Sequence, residues 1–146
     1  MTLHLILDEN VIEFAAKLQN HNDELNPTCG NLISEISKRC DIIYCTKQLF
    51  ERYSHKLKIL EQKFHEAAYI AKLLTHMAIQ GKIKFEPDAP RLPNEEGIPP
   101  DDAYLVRLAV KKSCILVSTD CRLREKLESS GLIKKHDIQI KHPEEV

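Results

Sequence analysis

Short apolar runs alternate with stretches of helical periodicity along this chain. Leu3-His4-Leu5-Ile6-Leu7 is apolar, brief and closed at once by Asp8-Glu9, the pattern of a buried strand. Val11, Phe14, Ala15 and Leu18 then recur at helical spacing, so a helix begins near Asn10. A second helix follows Pro27-Thr28, with Leu32, Ile33 and Ile36 on its inner face. Asp41-Ile42-Ile43-Tyr44-Cys45 reads as the next strand, and Thr46 suits the N-cap of the helix after it.

The region from 47 to 80 is harder to partition. Phe50, Tyr53, Leu57, Leu60, Phe64, Ala67, Ala71, Leu74 and Ala78 alternate steps of three and four, with no Gly or Pro between Gly30 and Gly81. Such a stripe suits a coiled-coil seam or an amphipathic helix, or two in succession, packed on its own domain. Three of the nine positions are alanine, which favours the packed reading. One unbroken helix would be roughly 50 Å long at 1.5 Å per residue. That exceeds the width of so small a domain, so a break or a projecting arm is expected.

Residues 81–100 hold five of the seven prolines and two of the four glycines, a loop with one short strand at Lys82 to Phe85. Asp101 to Lys112 is apolar nearly all round, as a buried helix is. Cys114-Ile115-Leu116-Val117 reads as a strand, Cys121 to Glu128 as a helix ended by Gly131, and Ile138 to Ile140 as a last edge strand. Apolar strands separated by helices indicate βαβ units. The expected fold class is α/β, a three-layer α/β/α arrangement around a parallel sheet of four to five strands, with 1–146 as one domain.

Composition narrows the function classes. Twenty-one Lys and Arg against 22 Asp and Glu leave a formal charge of −1, so no overall excess exists for coating a polyanion. No apolar run reaches about 18 residues, and Leu3 to Leu7 is too short for a signal peptide, so no membrane partner is expected. The five cysteines, Cys29, Cys40, Cys45, Cys114 and Cys121, form no C-x-x-C pair and read mostly as buried hydrophobes in a reducing cytoplasm. Cys114 and Cys121 flank Asp120 and imply packing. The seven histidines are dispersed, and His4 alternates into the first strand as a packed or partly exposed residue.

In open parallel sheets ligands sit at the C-terminal strand ends, so the side chains there carry the functional signal. Asp8 ends the first strand and Asp120 follows the 114–117 strand; Asp101 and Asp102 open the helix after Pro99-Pro100, and Glu51 lies early in the helix after the second strand. Singly, Asp8, Asp102 and Asp120 are each explained as helix N-caps. Jointly, carboxylates gathered at one sheet end repel one another, and a hard divalent cation such as Mg²⁺ or Mn²⁺ removes that cost. Such an ion can activate water and steady the leaving oxygen of a phosphodiester. No G-x-S-x-G, Gly-rich phosphate loop or His-x-x-x-His pair competes with that chemistry.

These residues carry a resemblance. Leu5-Ile6-Leu7-Asp8-Glu9-Asn10-Val11-Ile12 resembles the opening of PIN-domain nucleases, a strand ending in Asp, any residue, Asn. Asp102-Ala103-Tyr104-Leu105-Val106-Arg107-Leu108-Ala109 is similar to the family's third motif, and Leu116-Val117-Ser118-Thr119-Asp120 with Arg122-Leu123 to its fourth. The motifs occur in order and span essentially the whole chain. The resemblance implies a PIN-like fold and a metal-dependent endoribonuclease, and many small members are toxins of VapBC-type toxin–antitoxin pairs that dimerise. It therefore implies RNA as substrate, an antitoxin and a homodimer as partners, Asp8, Asp102 and Asp120 as ligands of Mg²⁺ or Mn²⁺, and Asn10 and Ser118 as groups that orient them. The second motif departs from the family pattern: Arg52 stands before Tyr53 where a Glu is usual, and Glu51 is the nearest acid for a catalytic role. Asp101 competes with Asp102, whose spacing to Ala109 fits better.

From Arg107 to Lys141 there are nine Lys and Arg against four Asp and Glu. Arg122 and Arg124, directly after Asp120, are the candidates for RNA phosphates, unless this is simply a solvated helix face. Two further readings compete. A receiver-like signalling module would need an acceptor Asp at the end of a middle strand, whereas Asp41 precedes its strand. A catalytically weak PIN-like interaction module is favoured by the missing Glu before Tyr53 and by the long helical region 47–80.

Overall fold

The computed structural model describes residues 2–93 and 95–146. Each apolar run becomes a short strand: β1 (His4–Leu7), β2 (Ile42–Cys45), β3 (Ile83–Phe85), β4 (Ile115–Val117) and β5 (Gln139–Lys141). They form one all-parallel sheet in the order β3-β2-β1-β4-β5. The strands are linked by α1 (Glu9–Lys17), α2 (Thr28–Lys38), α3 (Lys47–Leu60), α4 (Glu66–Ile79), α5 (Pro100–Lys112), α6 (Cys121–Ser129) and α7 (Leu132–His136). The result is a three-layer α/β/α fold, as the alternation of strands and helices predicts.

Strand order explains the layers. The chain steps outward from β1 through β2 to β3, then crosses back to β4 and β5 on the other side. Right-handed crossovers in opposite directions put their helices on opposite faces. Accordingly α1, α2, α3 and α4 pack on one another, while α5 packs on β1 and β4, and α6 on α7. The central strand β1 is sealed on both faces, with Leu5, Ile6 and Leu7 fully buried. Each such side chain contributes about 1.5–3 kcal/mol of hydrophobic stabilisation.

The long apolar stripe resolves into two helices rather than a seam. After Leu60 the chain turns through Glu61 to His65 with no Gly or Pro, held by Phe64 N–H donating to the Leu60 carbonyl at 2.9 Å. Folding back lets Tyr53, Leu57 and Leu60 of α3 and Ala67, Ile70, Leu74 and Met77 of α4 all reach the core. The expected stripe slips by one position in α4: Ile70 and Met77 are buried, while Ala71 and Ala78 are only partly covered. Thr46 caps α3 as read, accepting from Leu49 N–H at 3.1 Å. Gly131 follows α6 with φ +76, and the short α7 beyond it has no counterpart in the sequence pattern.

The proline-rich segment before α5 is anchored from within. Glu95 is buried and accepts from Arg91 Nε, from Leu92 N–H and from the Arg107 guanidinium. The Arg107 guanidinium, on α5, holds the Glu95 carboxyl down to about 2. This clamp fixes the approach to Asp101 and Asp102.

Candidate acidic cleft at the sheet switch point

Strand order reverses direction between β1 and β4, and the C-terminal ends of those two strands form the crevice where open α/β sheets bind ligands. Leu7 pairs with Val117, so the next residues on each side, Asp8 and Ser118, fall beside one another. The Asp8 N–H donates to the Val117 carbonyl at 2.9 Å, extending the ladder into the site.

Asp8 occupies the N-cap position of α1, yet its side chain makes no capping bond. Its Oδ2 accepts instead from Ser118 Oγ at 2.9 Å and from Asn10 Nδ2 at 3.3 Å. Ser118 Oγ also accepts from Asp120 N–H at 3.0 Å, and Asn10 Oδ1 accepts from Thr119 N–H at 3.2 Å. Asn10 and Ser118 therefore knit the two strand ends around one carboxylate. Beneath them the fully buried Tyr53 hydroxyl donates to the Leu7 carbonyl, fixing the last residue of β1.

Asp8 is only 7% exposed, and burial pushes its carboxyl up to about 6. Ser118 pulls in the opposite direction, while the charges of Asp102 and Asp120 push it further up. Asp102, in the first turn of α5, is also raised, by burial first and then by the charges of Asp120 and Asp101. The charges of Asp102 and Asp120 thus reach Asp8. Their roles differ. Asp120 is a working N-cap, with Oδ1 accepting from Arg122 N–H at 2.9 Å and from Leu123 N–H at 3.4 Å. For this residue the capping explanation is satisfied.

Asp8 and Asp102 line one cleft of about 340 Å³ with Glu9, Asn10, Glu13, Arg52, Lys56, Asp101 and Tyr104. Asp120 lines an adjoining one of about 480 Å³ with Asn10, His21, Thr119, Cys121 and Arg122. Asn10 is the wall they share. Among the described residues no three His, Cys, Asp or Glu side chains are gathered into one metal-clasping group. Mg²⁺ ordinarily takes only one or two protein carboxylates and keeps its waters. Asp8 and Asp102, all-oxygen donors in one cleft whose charges are incompletely balanced, fit a hard divalent ion on those terms.

Several expected residues lie elsewhere. Glu51 is exposed and lines an adjoining groove with Gln48, His55 and Ile59, which shares Glu9, Arg52, Lys56 and Asp101 with the cleft of Asp8 and Asp102. One residue turns a helical side chain by 100°, and Arg52 takes the inward direction. Its guanidinium lies 5.0 Å from the Tyr104 ring centre and donates to the Tyr104 hydroxyl at 3.1 Å. Arg124 is also reassigned: it pairs with Glu145 at 3.1 Å and donates to the Ile140 carbonyl at 3.2 Å, pinning the C-terminal segment. Arg122 stays at the site, in the Asp120 cleft.

Asp101 is exposed on the cleft rim, 3.9 Å from the Arg52 guanidinium. Asp41, buried at the start of β2, accepts from Leu3 N–H and pairs with Arg39 at 2.8 Å, far from the strand ends that a receiver would use. His4 is exposed and stacks on Tyr44. Cys29, Cys45 and Cys114 are buried, whereas Cys40 and Cys121 are exposed, so packing does not account for Cys121. Residues that pattern reading missed are Arg52 and Lys56, one turn apart on α3, together with Tyr104 and His21. His21 Nε2 lies 3.0 Å from Thr119 Oγ1, tying the loop after α1 to the end of β4. The spacing of Arg52 and Lys56 beside the buried Tyr53 was the available signal.

Comparison with protein-family models, with curated proteins and with solved structures found no match. Among the described residues no helix is long and apolar enough to cross a membrane.

Proposed function

We propose that this chain is a PIN-like endoribonuclease that depends on Mg²⁺ or Mn²⁺ and hydrolyses RNA phosphodiesters. One observation carries the reading. Asp8, at the switch point of the sheet, is buried without a capping duty, held by Ser118 and Asn10, and set against Asp102 and Asp120. A structural cap has no use for that environment, whereas a cation-binding carboxylate does.

In this reading Asp8 and Asp102 hold the ion, and Asp120 adds charge from the adjoining cleft. A bound divalent ion would supply an activated water and offset charge on the leaving oxygen. Ser118 and Asn10 keep Asp8 oriented, and Arg122 meets a phosphate beside the cleft. Thiols without partners suit the reducing cytoplasm. A toxin role, with an antitoxin covering the cleft and a homodimer as the working unit, belongs to the same proposal.

The test is cleavage of an RNA panel with Mg²⁺, Mn²⁺ or chelator. Asp8→Asn and Asp120→Asn variants that stay folded should lose cleavage. A second reading is a catalytically weak interaction module, favoured by Arg52 facing the cleft where the family places an acid. It prevails when wild type neither cleaves RNA nor binds Mn²⁺.

A further inference from the structure

The acidic cleft contains its own organic cation. Arg52 is not a loose surface arginine: its guanidinium lies against the Tyr104 ring, donates to the Tyr104 hydroxyl and faces Asp101. The same side chain lines one cleft with both proposed ligands, Asp8 and Asp102. Lys56, the other cation lining the cleft, is taken up by Glu13 at 3.1 Å and Glu9 at 3.7 Å. Arg52 is paired more loosely, with one exposed carboxylate, Asp101, at 3.9 Å.

We infer that Arg52 is the second positive charge of the site, so that the cleft takes a single divalent ion and presents the guanidinium to the substrate phosphate. This rests on the metal-dependent reading above and specifies its stoichiometry. The chemistry is consistent: two-metal phosphodiester sites place two cations about 4 Å apart to hold the attacking and leaving oxygens. A guanidinium, permanently charged and shaped for two phosphate oxygens, can take one of those two roles without needing carboxylate ligands of its own.

Mn²⁺ binding to the full chain, measured by calorimetry and by electron spin resonance, tests this together with RNA cleavage and thermal melting. Wild type should bind one Mn²⁺. Arg52→Glu, which reverses the charge and adds a ligand, should bind two. Arg52→Gln should keep one ion at unchanged or tighter affinity and lose about 10²-fold in kcat, as when a transition-state donor is removed. Arg52→Lys should recover part of that loss. Two ions in wild type, or Arg52→Gln cleaving at the wild-type rate with one ion bound, would overturn the inference while leaving the metal-dependent reading intact. No Mn²⁺ in wild type removes both. Should Arg52→Glu not fold, the Gln and Lys variants carry the decision.

Discussion

Ser118 Oγ donates to Asp8 Oδ2 across 2.9 Å, a bond between residues 110 positions apart that closes the gap between β1 and β4. The same hydroxyl receives Asp120 N–H, so a single side chain sets the relation between the two acidic strand ends.

Ser118→Ala should therefore act on both stability and the site. Losing the donor leaves a buried carboxylate supported by Asn10 alone, which costs about 1–3 kcal/mol. Urea unfolding at pH 8 should show that loss, and Mn²⁺ affinity should fall by about 10- to 100-fold, as for other removed ligand-orienting partners.

The pH dependence of the metal-free protein has a definite sign. Folded Asp8 keeps its proton up to about pH 6, while the unfolded chain releases it near 3.8. Stability from this group is complete below 3.8 and is lost as pH rises through 6. Asp8→Asn removes the cost of a buried charge and should raise metal-free stability at pH 8 by up to about 3 kcal/mol, two pKa units of differential interaction. The gain should shrink below pH 5 in denaturant melts at both pH values. Mg²⁺ should raise the melting temperature of wild type and leave that of Asp8→Asn unmoved.

Arg122 and Arg124 should separate cleanly. Arg122→Ala should weaken RNA binding and reduce the salt slope by about 0.7, the value for one single-strand phosphate contact. Arg124→Ala breaks a half-exposed pair with Glu145, so it should cost about 1 kcal/mol of stability and leave RNA affinity unchanged. Filter binding across a salt series reads the first effect, and thermal melts read the second.

The cysteines should divide two to three. Cys40 and Cys121 are exposed, whereas burial raises Cys29 and Cys114 to about 11 and Cys45 to about 12. A thiol reagent at pH 8 should label two sites rapidly and the other three only after denaturation.

What could be read from the residues alone follows a physical division. A continuous apolar run such as Leu5-Ile6-Leu7 declares a strand buried on both faces, and Thr46 or Gly131 declare a helix end, because those signals are local. The turn at residues 61–65 carried no Gly or Pro; it forms because folding back buries both Leu60 and Ala67. The acids at Asp8 and Asp102 were legible from strand ends and helix starts. The fate of Glu51, Arg52 and Arg124 was not, since it depends on 100° of helix rotation and on partners such as Tyr104 and Glu145 that are distant in sequence.

The pairing of β1 with β4 also sets a timetable. During synthesis Asp8 emerges well before its partner strand, which arrives only after five helices and two other strands have been made. Contacts spanning so much sequence form late because loop-closure entropy must be overcome first. The nascent protein therefore carries no assembled cleft until β4 has emerged, and whatever chemistry the finished pocket performs is withheld until then.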